Sequence, residues 1–277
     1  MHHPIFQKFN RVRSTGTGKH VFDFLGAATR VSFRKGWEAH AVPSGKEVIP
    51  GYPAVNEHYF DWIAVLTAVE QAGSTFRMGE LGAGWAPWLT RAALATRQRA
   101  HIQDLELLAV EADESHFDWV GLNFSDNRLA EPAAKRVRAA ACATTGTIRF
   151  PKVHNPDENY GASLISARTA RDFIEVPALT LQDVVGEFSG AIDLLHIDIQ
   201  GAEYEIIPPM AASLRSSVKM MMVGTHISLD RHHDLAKCLR SAGWSEIFNF
   251  PRHSTVETDF GLVKFDDGFL LVSAESI

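Results

Sequence analysis

Short apolar runs alternate along the chain with segments whose apolar residues recur at helical spacing. The apolar runs predict strands at residues 75–81, 105–110, 137–142, 192–197 and 219–223. The segments of helical spacing predict helices at residues 87–95, 115–127, 181–188, 201–214 and 230–242. Strands that alternate with helices of this length predict an α/β fold with a mostly parallel sheet and helices on both faces. The last two strands, 244–250 and 269–272, have no predicted helix between them, so we expect them to pair antiparallel.

The first 55 residues lack this regularity. They are rich in Ser, Thr and Gly at residues 11–19, and prolines interrupt them at positions 43, 50 and 53. We therefore expect residues 1–55 to form an extension that packs on a catalytic domain of residues 56–277 and helps to cover its site.

Composition narrows the classes of function. The chain has 277 residues and a formal net charge of −6, so its overall charge does not suggest a nucleic-acid-binding surface. Two cysteines, Cys142 and Cys238, do not make a disulfide framework or a zinc site. No apolar run approaches the roughly 20 residues of a membrane span. We expect a cytoplasmic protein without a nucleic-acid partner or a membrane span, and the sequence leaves a homo-oligomer open.

A glycine-rich turn follows the first strand of the predicted domain. It reads Glu80-Leu81-Gly82-Ala83-Gly84-Trp85, and a predicted helix begins after it. Glycines there let the backbone turn sharply and approach a ligand, and the N–H groups of the helix suit a carboxylate or a phosphate. An acidic Glu80 at the strand end suits a cationic ligand portion. A purely structural turn is the alternative.

An acidic residue, Glu111, ends the next strand and is followed by Ala112. A carboxylate at this point can accept hydrogen bonds from both ribose hydroxyls of a nucleoside. The separation from Gly84 exceeds the roughly 20 residues of the dinucleotide fingerprint, and Pro87 stands where that fingerprint has a small residue. Both features favour S-adenosylmethionine over a nicotinamide dinucleotide. An NAD(P)-dependent oxidoreductase is the alternative.

The most specific motif follows the apolar strand 192–197. Its residues, Asp198-Ile199-Gln200-Gly201-Ala202-Glu203, closely resemble the Asp-x-Glu-Gly-Ala-Glu signature of the FkbM family of methyltransferases. Residues 80–84, Glu111 and the segments 179–183 and 223–226 resemble further motifs of that family in the same order. The resemblance covers roughly residues 56–272. Gln200 and Gln182 depart from it, since each stands where the family commonly has a carboxylate.

The resemblance implies a Rossmann-like class I methyltransferase fold with a seven-stranded sheet and S-adenosylmethionine as methyl donor. It also implies a hydroxyl acceptor on a sugar, a glycan or a secondary metabolite. The residues expected to bind the donor are Glu80, Gly82, Ala83, Gly84, Trp85, Glu111, Ala112 and Asp198. The two missing carboxylates keep a non-catalytic domain that binds S-adenosylmethionine or a partner protein as a further alternative.

A hydroxyl acceptor needs a group that takes its proton. His226 is the first candidate because it follows a strand and imidazole titrates near neutral pH. Asp198 is the second candidate, as a base, an orienting group or a metal ligand. Asp198, Glu203, His226 and Asp230 are the residues that would converge on a divalent cation, but no closely spaced ligand pair requires a metal and none is predicted. Residues 160–163, Trp85 and Trp88 are candidates to line the acceptor pocket, with core packing as an equal alternative.

Overall fold

The structure is a computed structural model that describes residues 2–164 and 170–275. Met1, the first residue of the predicted extension, and residues 276–277, the last of the predicted catalytic domain, lie outside the described residues. Short 3-10 helices occur at Pro4–Lys8, Val31–Phe33, Trp37–His40 and Pro208–Met210. The strands and α-helices follow one another as β1 (Ser14–Thr15), β2 (His20–Phe22), β3 (Ala28–Arg30), β4 (Glu47–Val48), α1 (Tyr59–Gln71), β5 (Thr75–Leu81), α2 (Pro87–Thr96), β6 (Asp104–Glu111), α3 (Glu114–Asp126), β7 (Ala134–Arg138), β8 (Ala140–Ala141), β9 (Gly146–Pro151), β10 (Phe173–Leu179), α4 (Leu181–Gly186), β11 (Ile192–Ile197), α5 (Glu203–Ile206), α6 (Ala211–Leu214), β12 (Val218–Thr225), α7 (Leu229–Ser241), β13 (Ser245–Phe250), β14 (Ser254–Thr258), β15 (Gly261–Phe265) and β16 (Gly268–Ser273).

A seven-stranded sheet forms the centre of the fold, in the order β13-β16-β12-β11-β5-β6-β7. The pairs from β12 to β7 are parallel, whereas β16 runs antiparallel to both β12 and β13. The predicted seven-stranded, mostly parallel sheet and the antiparallel pairing of the last two predicted strands are both confirmed. A hairpin of β14 and β15 lies between these last strands along the chain and was not predicted.

Helices cover both faces of this sheet. Adjacent residues of a strand point to opposite faces, and Leu194 and Leu195 accordingly belong to two different apolar clusters. Leu194 lies in the cluster that contains the buried side chains of α1, α2 and α3. Leu195 lies in the cluster that contains those of α4, α5, α6 and α7. The predicted α/β architecture of three layers is therefore confirmed.

The strand order places a ligand crevice beside β5. The chain leaves β5 towards β6 and β7 and later returns on its other side with β11 and β12. In an open α/β sheet, ligands bind at the carboxyl edge where the strand order reverses in this way. The ends of β5 and β11, Leu81 and Ile197, pair with each other at this edge. The glycine turn and Asp198 follow directly from these two strand ends.

Two predicted elements are divided in the structure. The predicted helix 201–214 consists of α5, a 3-10 helix and α6, because Pro208 and Pro209 cannot continue an α-helix ladder. The predicted strand 137–142 is divided between the end of β7, which lies in the central sheet, and β8, which pairs with β10 in a separate sheet. The chain thereby bends away from the central sheet beside Glu111.

The N-terminal segment packs on the remainder of the chain. Phe6, Phe9 and Phe24 are buried in the same apolar cluster as the residues of α1. The side-chain amide of Asn127 donates to the carbonyl of Ala28 at 2.9 Å and accepts from its N–H at 2.8 Å. These contacts agree with the expected packing of residues 1–55, and the boundary at residue 56 stays a prediction.

Candidate active site

The glycine turn interlocks with the ends of two neighbouring strands. The N–H groups of Gly82 and Ala83 donate to the carbonyl of Val110 at 3.0 and 3.1 Å. Gly82 has a φ of +72°, and a Cβ at this position would lie 1.9 Å from the carbonyl oxygen of Asp198. Both the conformation and the close approach require glycine. The turn thereby presses directly on the backbone of the Asp198 motif.

Glu111 is a buried carboxylate held by two backbone N–H groups. Its Oε2 accepts from Gly84 and its Oε1 from Asp113, both at 2.8 Å. Burial raises the pKa of Glu111. A carboxylate offers about four acceptor positions, so each oxygen keeps capacity for a further donor such as a hydroxyl.

A small cavity of about 50 Å³ opens beside this carboxylate, and we call it the glycine-turn cavity. It is lined by Gly82, Val110, Glu111, Ala112, Ala139, Ala140, Ala141, Phe150, Ala162, Leu164, Asp198, Ile199 and Ala202. Four of the predicted donor-binding residues are in this lining: Gly82, Glu111, Ala112 and Asp198. The sequence did not predict the alanines after β7, Phe150 or Ile199 as lining residues of this cavity. Apolar side chains carry no chemical signal that would single them out in a sequence.

Glu80, Ala83, Gly84 and Trp85 are predicted donor-binding residues that do not line the glycine-turn cavity, and the side chain of Glu80 lies at the start of α2. It is almost completely buried, and its Oε2 accepts from the N–H of Leu89 at 3.0 Å in the first turn of α2. Its Oε1 lies 3.4 Å from Nδ1 of His196. Glu80 thus fixes the start of α2 and faces a buried histidine, and it does not line the glycine-turn cavity.

Trp85 joins an aromatic cluster that covers the glycine turn. Its ring meets those of Phe33 and Trp37 from the N-terminal segment and that of Tyr160 from the loop after β9. The hydroxyl of Tyr160 donates to the carbonyl of Phe33. A Cβ on Gly84 would lie 3.7 Å from the Tyr160 ring. The N-terminal segment therefore reaches the turn, and its role as a cover of the site stays a prediction. Among the described residues the indole N–H of Trp85 has no hydrogen-bond partner.

His226 lies between two carboxylates. Its Nδ1 is 3.0 Å from Oε1 of Glu203, and its Nε2 is 3.2 Å from Oδ1 of Asp198. Glu203 is fully buried, whereas the side chain of Asp198 is 40% exposed and therefore reachable from the cleft. The Asp198 motif and the strand β12 thus bring together the two residues predicted for proton transfer.

The two carboxylates keep a proton on the imidazole. Burial alone would lower the pKa of His226, but its hydrogen bonds to Asp198 and Glu203 outweigh burial and raise the pKa to about 10. Burial would raise the pKa of Asp198, but the hydrogen bond and charge of His226 outweigh it and lower the pKa to about 2. The expectation that this imidazole titrates near neutral pH is wrong, because the sequence does not show that two carboxylates converge on it.

Gln200 contributes to the same group. Its backbone has a φ of +55°, and its Nε2 donates to Oδ1 of Asp198 at 3.1 Å. The amide therefore supplies a hydrogen bond where a carboxylate would repel Asp198. The other departure, Gln182, is exposed on α4, and the adjacent Asp183 forms the capping box with Thr180.

A second cavity, of about 100 Å³, is also lined by Asp198, and we call it the histidine cavity. It is lined by Glu57, His58, Asp61, Trp88, His196, Asp198, Gly224, His226, Phe265, Asp267, Gly268 and Phe269. Asp198 lines both cavities, so it forms part of the wall between them. Of the residues expected to line an acceptor pocket, Trp88 lies here and Ala162 lies in the glycine-turn cavity.

The remaining lining residues of the histidine cavity were missed by sequence reasoning. Glu57, His58 and Asp61 occupy the start of α1, where they read as ordinary polar residues at a helix N-terminus. Within residues 2–164 and 170–275, no group of three or more His, Cys, Asp or Glu side chains has the arrangement of a metal site.

The fold and this site define a class I methyltransferase. The sheet reverses its order beside β5, and the glycine turn, the acid after β6 and the acid after β11 meet at that point. A sequence model of the "Methyltransferase FkbM domain" matches residues 93–244, more than half of the chain. The chain therefore belongs to the FkbM family of methyltransferases, which sets aside the oxidoreductase alternative.

The chain is also similar to individual proteins. A protein of Jannaschia sp. (strain CCS1) named "Putative methyltransferase" is 29% identical over 207 residues, which cover 70% of this chain and 72% of the relative. Among solved structures, the METTL16 MTase domain is 16% identical with a TM-score of 0.43, over 79% of this chain and 67% of that one. The precorrin-6y C5,15-methyltransferase of Geobacter metallireducens GS-15 is 10% identical with a TM-score of 0.43, over 76% and 86%. No helix within the described residues has both the length and the apolar character to cross a membrane.

Proposed function

We propose that the protein transfers a methyl group from S-adenosylmethionine to a hydroxyl of a small-molecule or glycan acceptor. The observation that carries this proposal is the position of Asp198 between the glycine-turn cavity and the histidine cavity. Two cavities that share one wall suit two ligands whose reacting atoms must meet, as an in-line transfer requires.

The glycine-turn cavity has the features that the methyl donor needs. The close backbone approach at Gly82 excludes a side chain, and Glu111 presents a carboxylate to ribose hydroxyls. The alanines after β7 leave an apolar surface suited to a nucleobase. Trp85, Ala83 and Gly84 would support the donor through the turn, and Glu80 through the start of α2. When bound, S-adenosylmethionine supplies an electrophilic sulfonium methyl group and becomes S-adenosylhomocysteine.

The histidine cavity would hold the acceptor. In the reaction a bond forms between the acceptor oxygen and the methyl carbon while the sulfur–carbon bond breaks, and the hydroxyl proton must go to a base. We assign the base to His226 in its neutral form. Glu203 fixes the proton of Nδ1, so Nε2 is the nitrogen that exchanges its proton. Asp198, whose Oδ1 lies 3.2 Å from Nε2, orients the imidazole towards the acceptor.

Binding of the donor is tested by calorimetric titration with S-adenosylmethionine, S-adenosylhomocysteine and NADH, on the wild type and on Glu111→Ala. We expect the two adenosyl ligands to bind at micromolar concentrations and the variant to lose both, since Glu111 lines the glycine-turn cavity. Binding of NADH alone, or equal binding by Glu111→Ala, would contradict the proposed site. Glu114→Ala, a largely exposed acid three residues on, is the matched control.

Catalysis is tested separately by the release of S-adenosylhomocysteine with a panel of hydroxylated acceptors. We expect turnover by the wild type and a loss of about 10² to 10⁴-fold in His226→Gln, the range that a positioned base contributes. Donor binding without turnover on any acceptor would instead support a non-catalytic domain.

A further inference from the structure

The chain turns sharply directly after the proposed base, over residues 226–228, which we call the histidine turn. Ile227 has a φ of +66°, and the N–H of Ser228 donates to the carbonyl of His226 at 2.9 Å. A hydrogen bond that reaches two residues back, around a residue of positive φ, defines the rare and strained form of the γ-turn. The β-branched side chain of isoleucine adds to this strain.

Strained residues of this kind gather at the candidate active site. In the part of the chain that the structure describes, five non-glycine residues have a positive φ, and Ile227 is the only β-branched one among them. Three of the five, Ala86, Gln200 and Ile227, lie in the turns that follow the adjacent strands β5, β11 and β12. Such strain persists only where surrounding contacts impose it, and it clusters at functional sites. The contacts that hold Ile227 therefore bear on function.

A hydrogen bond from Arg252 holds the carbonyl of Ile227. Burial of the side chain does not explain the strained conformation, since Ile227 is 47% exposed. Nη1 of Arg252, which follows β13 in the chain, donates to the carbonyl of Ile227 at 2.8 Å. The contacts from Ser228 and from the hydroxyl of Tyr204, at 2.6 Å, act on the carbonyl of His226 instead. Arg252 therefore holds the peptide group that those two contacts do not reach.

The hydrogen bond from Arg252 is strong enough to decide the conformation of Ile227. A hydrogen bond from a charged group and the strain of a left-handed residue have free energies of similar size. Without the bond, Ile227 would relax to a negative φ, and the peptide group that follows His226 would rotate. The Nε2 atom that must meet the acceptor would then move from its place beside Asp198, and small displacements of this kind can cost about a hundredfold in rate.

We propose that Arg252 is a positioning residue for His226, which it holds in place through the histidine turn. The inference rests on the proposed function where turnover is measured, whereas the position of the imidazole can also be observed without turnover. Nη2 of Arg252 lies 3.5 Å from Oδ1 of Asp267, which lines the histidine cavity. The guanidinium thus connects one wall of that cavity to the turn beside the proposed base.

The first test separates kcat from KM. Arg252→Met keeps an unbranched side chain and removes the donor, so we expect kcat to fall about ten- to a hundredfold while KM for S-adenosylmethionine stays unchanged. In the double variant Arg252→Met/Ile227→Gly, kcat should return to within about twofold of the wild type, because glycine adopts a positive φ without strain. A merely structural role of Arg252 predicts no such rescue, since glycine restores no hydrogen bond.

Arg97 and Arg128 provide a matched control away from the site. Arg128 has a φ of +58°, and its carbonyl accepts from Nη2 of Arg97 at 3.1 Å, which repeats the contact between Ile227 and Arg252. Arg97→Met should leave kcat unchanged, and Arg128→Gly should not rescue Arg252→Met. An unchanged kcat in Arg252→Met, or a loss that Ile227→Gly does not restore, would overturn the inference.

Nuclear magnetic resonance of isotope-labelled histidine follows the imidazole without any acceptor. The proton on Nδ1 of His226, beside the buried Glu203, should give a slowly exchanging signal that His226→Gln lacks. We expect this proton to exchange about tenfold faster in Arg252→Met, and at the wild-type rate in the double variant. An exchange rate that Arg252→Met leaves unchanged would also overturn the inference. Absence of turnover by the wild type on every acceptor would contradict the proposed function, and this signal would still decide the inference.

Discussion

One oxygen of Glu203 accepts hydrogen bonds from both the backbone N–H and Nδ1 of His226, each at 3.0 Å. Its other oxygen accepts from the N–H of Gly201 at 2.7 Å. The carboxylate therefore fixes the orientation of the ring and stabilises its proton, and Nε2 faces Asp198. The proposed base and the glycine of the Asp198 motif are thus held by the same buried side chain.

We expect Glu203→Gln to shift the rising limb of the pH–activity profile. The proposed base must lose its proton, so kcat/KM should rise with pH towards about 10, the pKa of His226. Removal of one flanking charge lowers that pKa, so in the variant the rise should come at lower pH. The variant should also unfold about 3 kcal/mol more easily, as expected for a broken buried ion pair.

The measurement is kcat/KM between pH 6 and pH 10, together with urea denaturation. Glu205→Gln changes an exposed acid on the same short helix and should leave the profile in place. A profile that is flat over this range in the wild type would remove His226 as the base and leave Asp198.

The pH dependence of stability should show the raised pKa of His226. A group whose folded-state pKa lies above its unfolded value stabilises the fold fully below the unfolded value, near 6.5, and loses this effect as pH rises through about 10. The difference in free energy of unfolding between the wild type and His226→Gln should therefore be largest near pH 6 and shrink steadily up to pH 10. A constant difference would show that the imidazolium does not stabilise the fold.

Gly82→Ala should damage both stability and donor binding. The added Cβ would lie 1.9 Å from the carbonyl oxygen of Asp198, in a backbone conformation that disfavours alanine. Backbone strain alone costs about 1 to 3 kcal/mol, and the turn must also move away from the Asp198 motif. Thermal unfolding and titration with S-adenosylhomocysteine measure the two effects.

Gly73→Ala is the matched control for that substitution. Nothing lies within 4 Å of a Cβ at Gly73. We expect this variant to unfold and bind as the wild type does. Equal behaviour of both alanine variants would show that the turn tolerates a side chain and is not a close-approach site.

Asn127→Ala should loosen the N-terminal segment. Its amide satisfies both the N–H and the carbonyl of Ala28, so its removal leaves two backbone groups without that partner. We expect a loss of about 2 kcal/mol in the free energy of unfolding. Hydrogen exchange at Ala28 should quicken, and Asn127→Asp, which turns a carboxylate oxygen towards the carbonyls of Ala28 and Asn123, should quicken it as well. Unchanged exchange in both variants would show that the segment is held elsewhere.

The fold was predictable because its signals are local. The run Ile192–Ile197 is buried on both sides and is mostly apolar, interrupted by Asp193 and His196, as parallel strands commonly are. The hairpin of β14 and β15 gave no such signal, because its residues are mostly half-buried or exposed. The division of residues 201–214 was readable in principle from Pro208 and Pro209. The departure of β8 from the central sheet was not readable, since it depends on pairing with β10.

The sequence predicted those residues of the site that belong to a motif at the end of a strand, and not the others. Asp198 and Glu111 follow strands, so the edge of the sheet brings them together. The start of α1 gave no hint of the histidine cavity, because Asp61 and Asp198 come to line the same cavity only through the packing of that helix. The pKa of His226 likewise depends on two side chains from another segment, which no local pattern shows.

The pairing of β5 with β11 also has a consequence for how the protein forms. Met78 pairs with Leu194, more than a hundred residues later in the chain, although the two strands are neighbours at the centre of the sheet. Contacts this distant in sequence close a long loop and form slowly. The half of the site around Glu111 can be assembled from strands that are consecutive in the chain, whereas the wall that carries Asp198 must wait for this closure. During synthesis, the chain would therefore form the part of the nucleoside surface around Glu111 before it acquires Asp198, which lines both cavities.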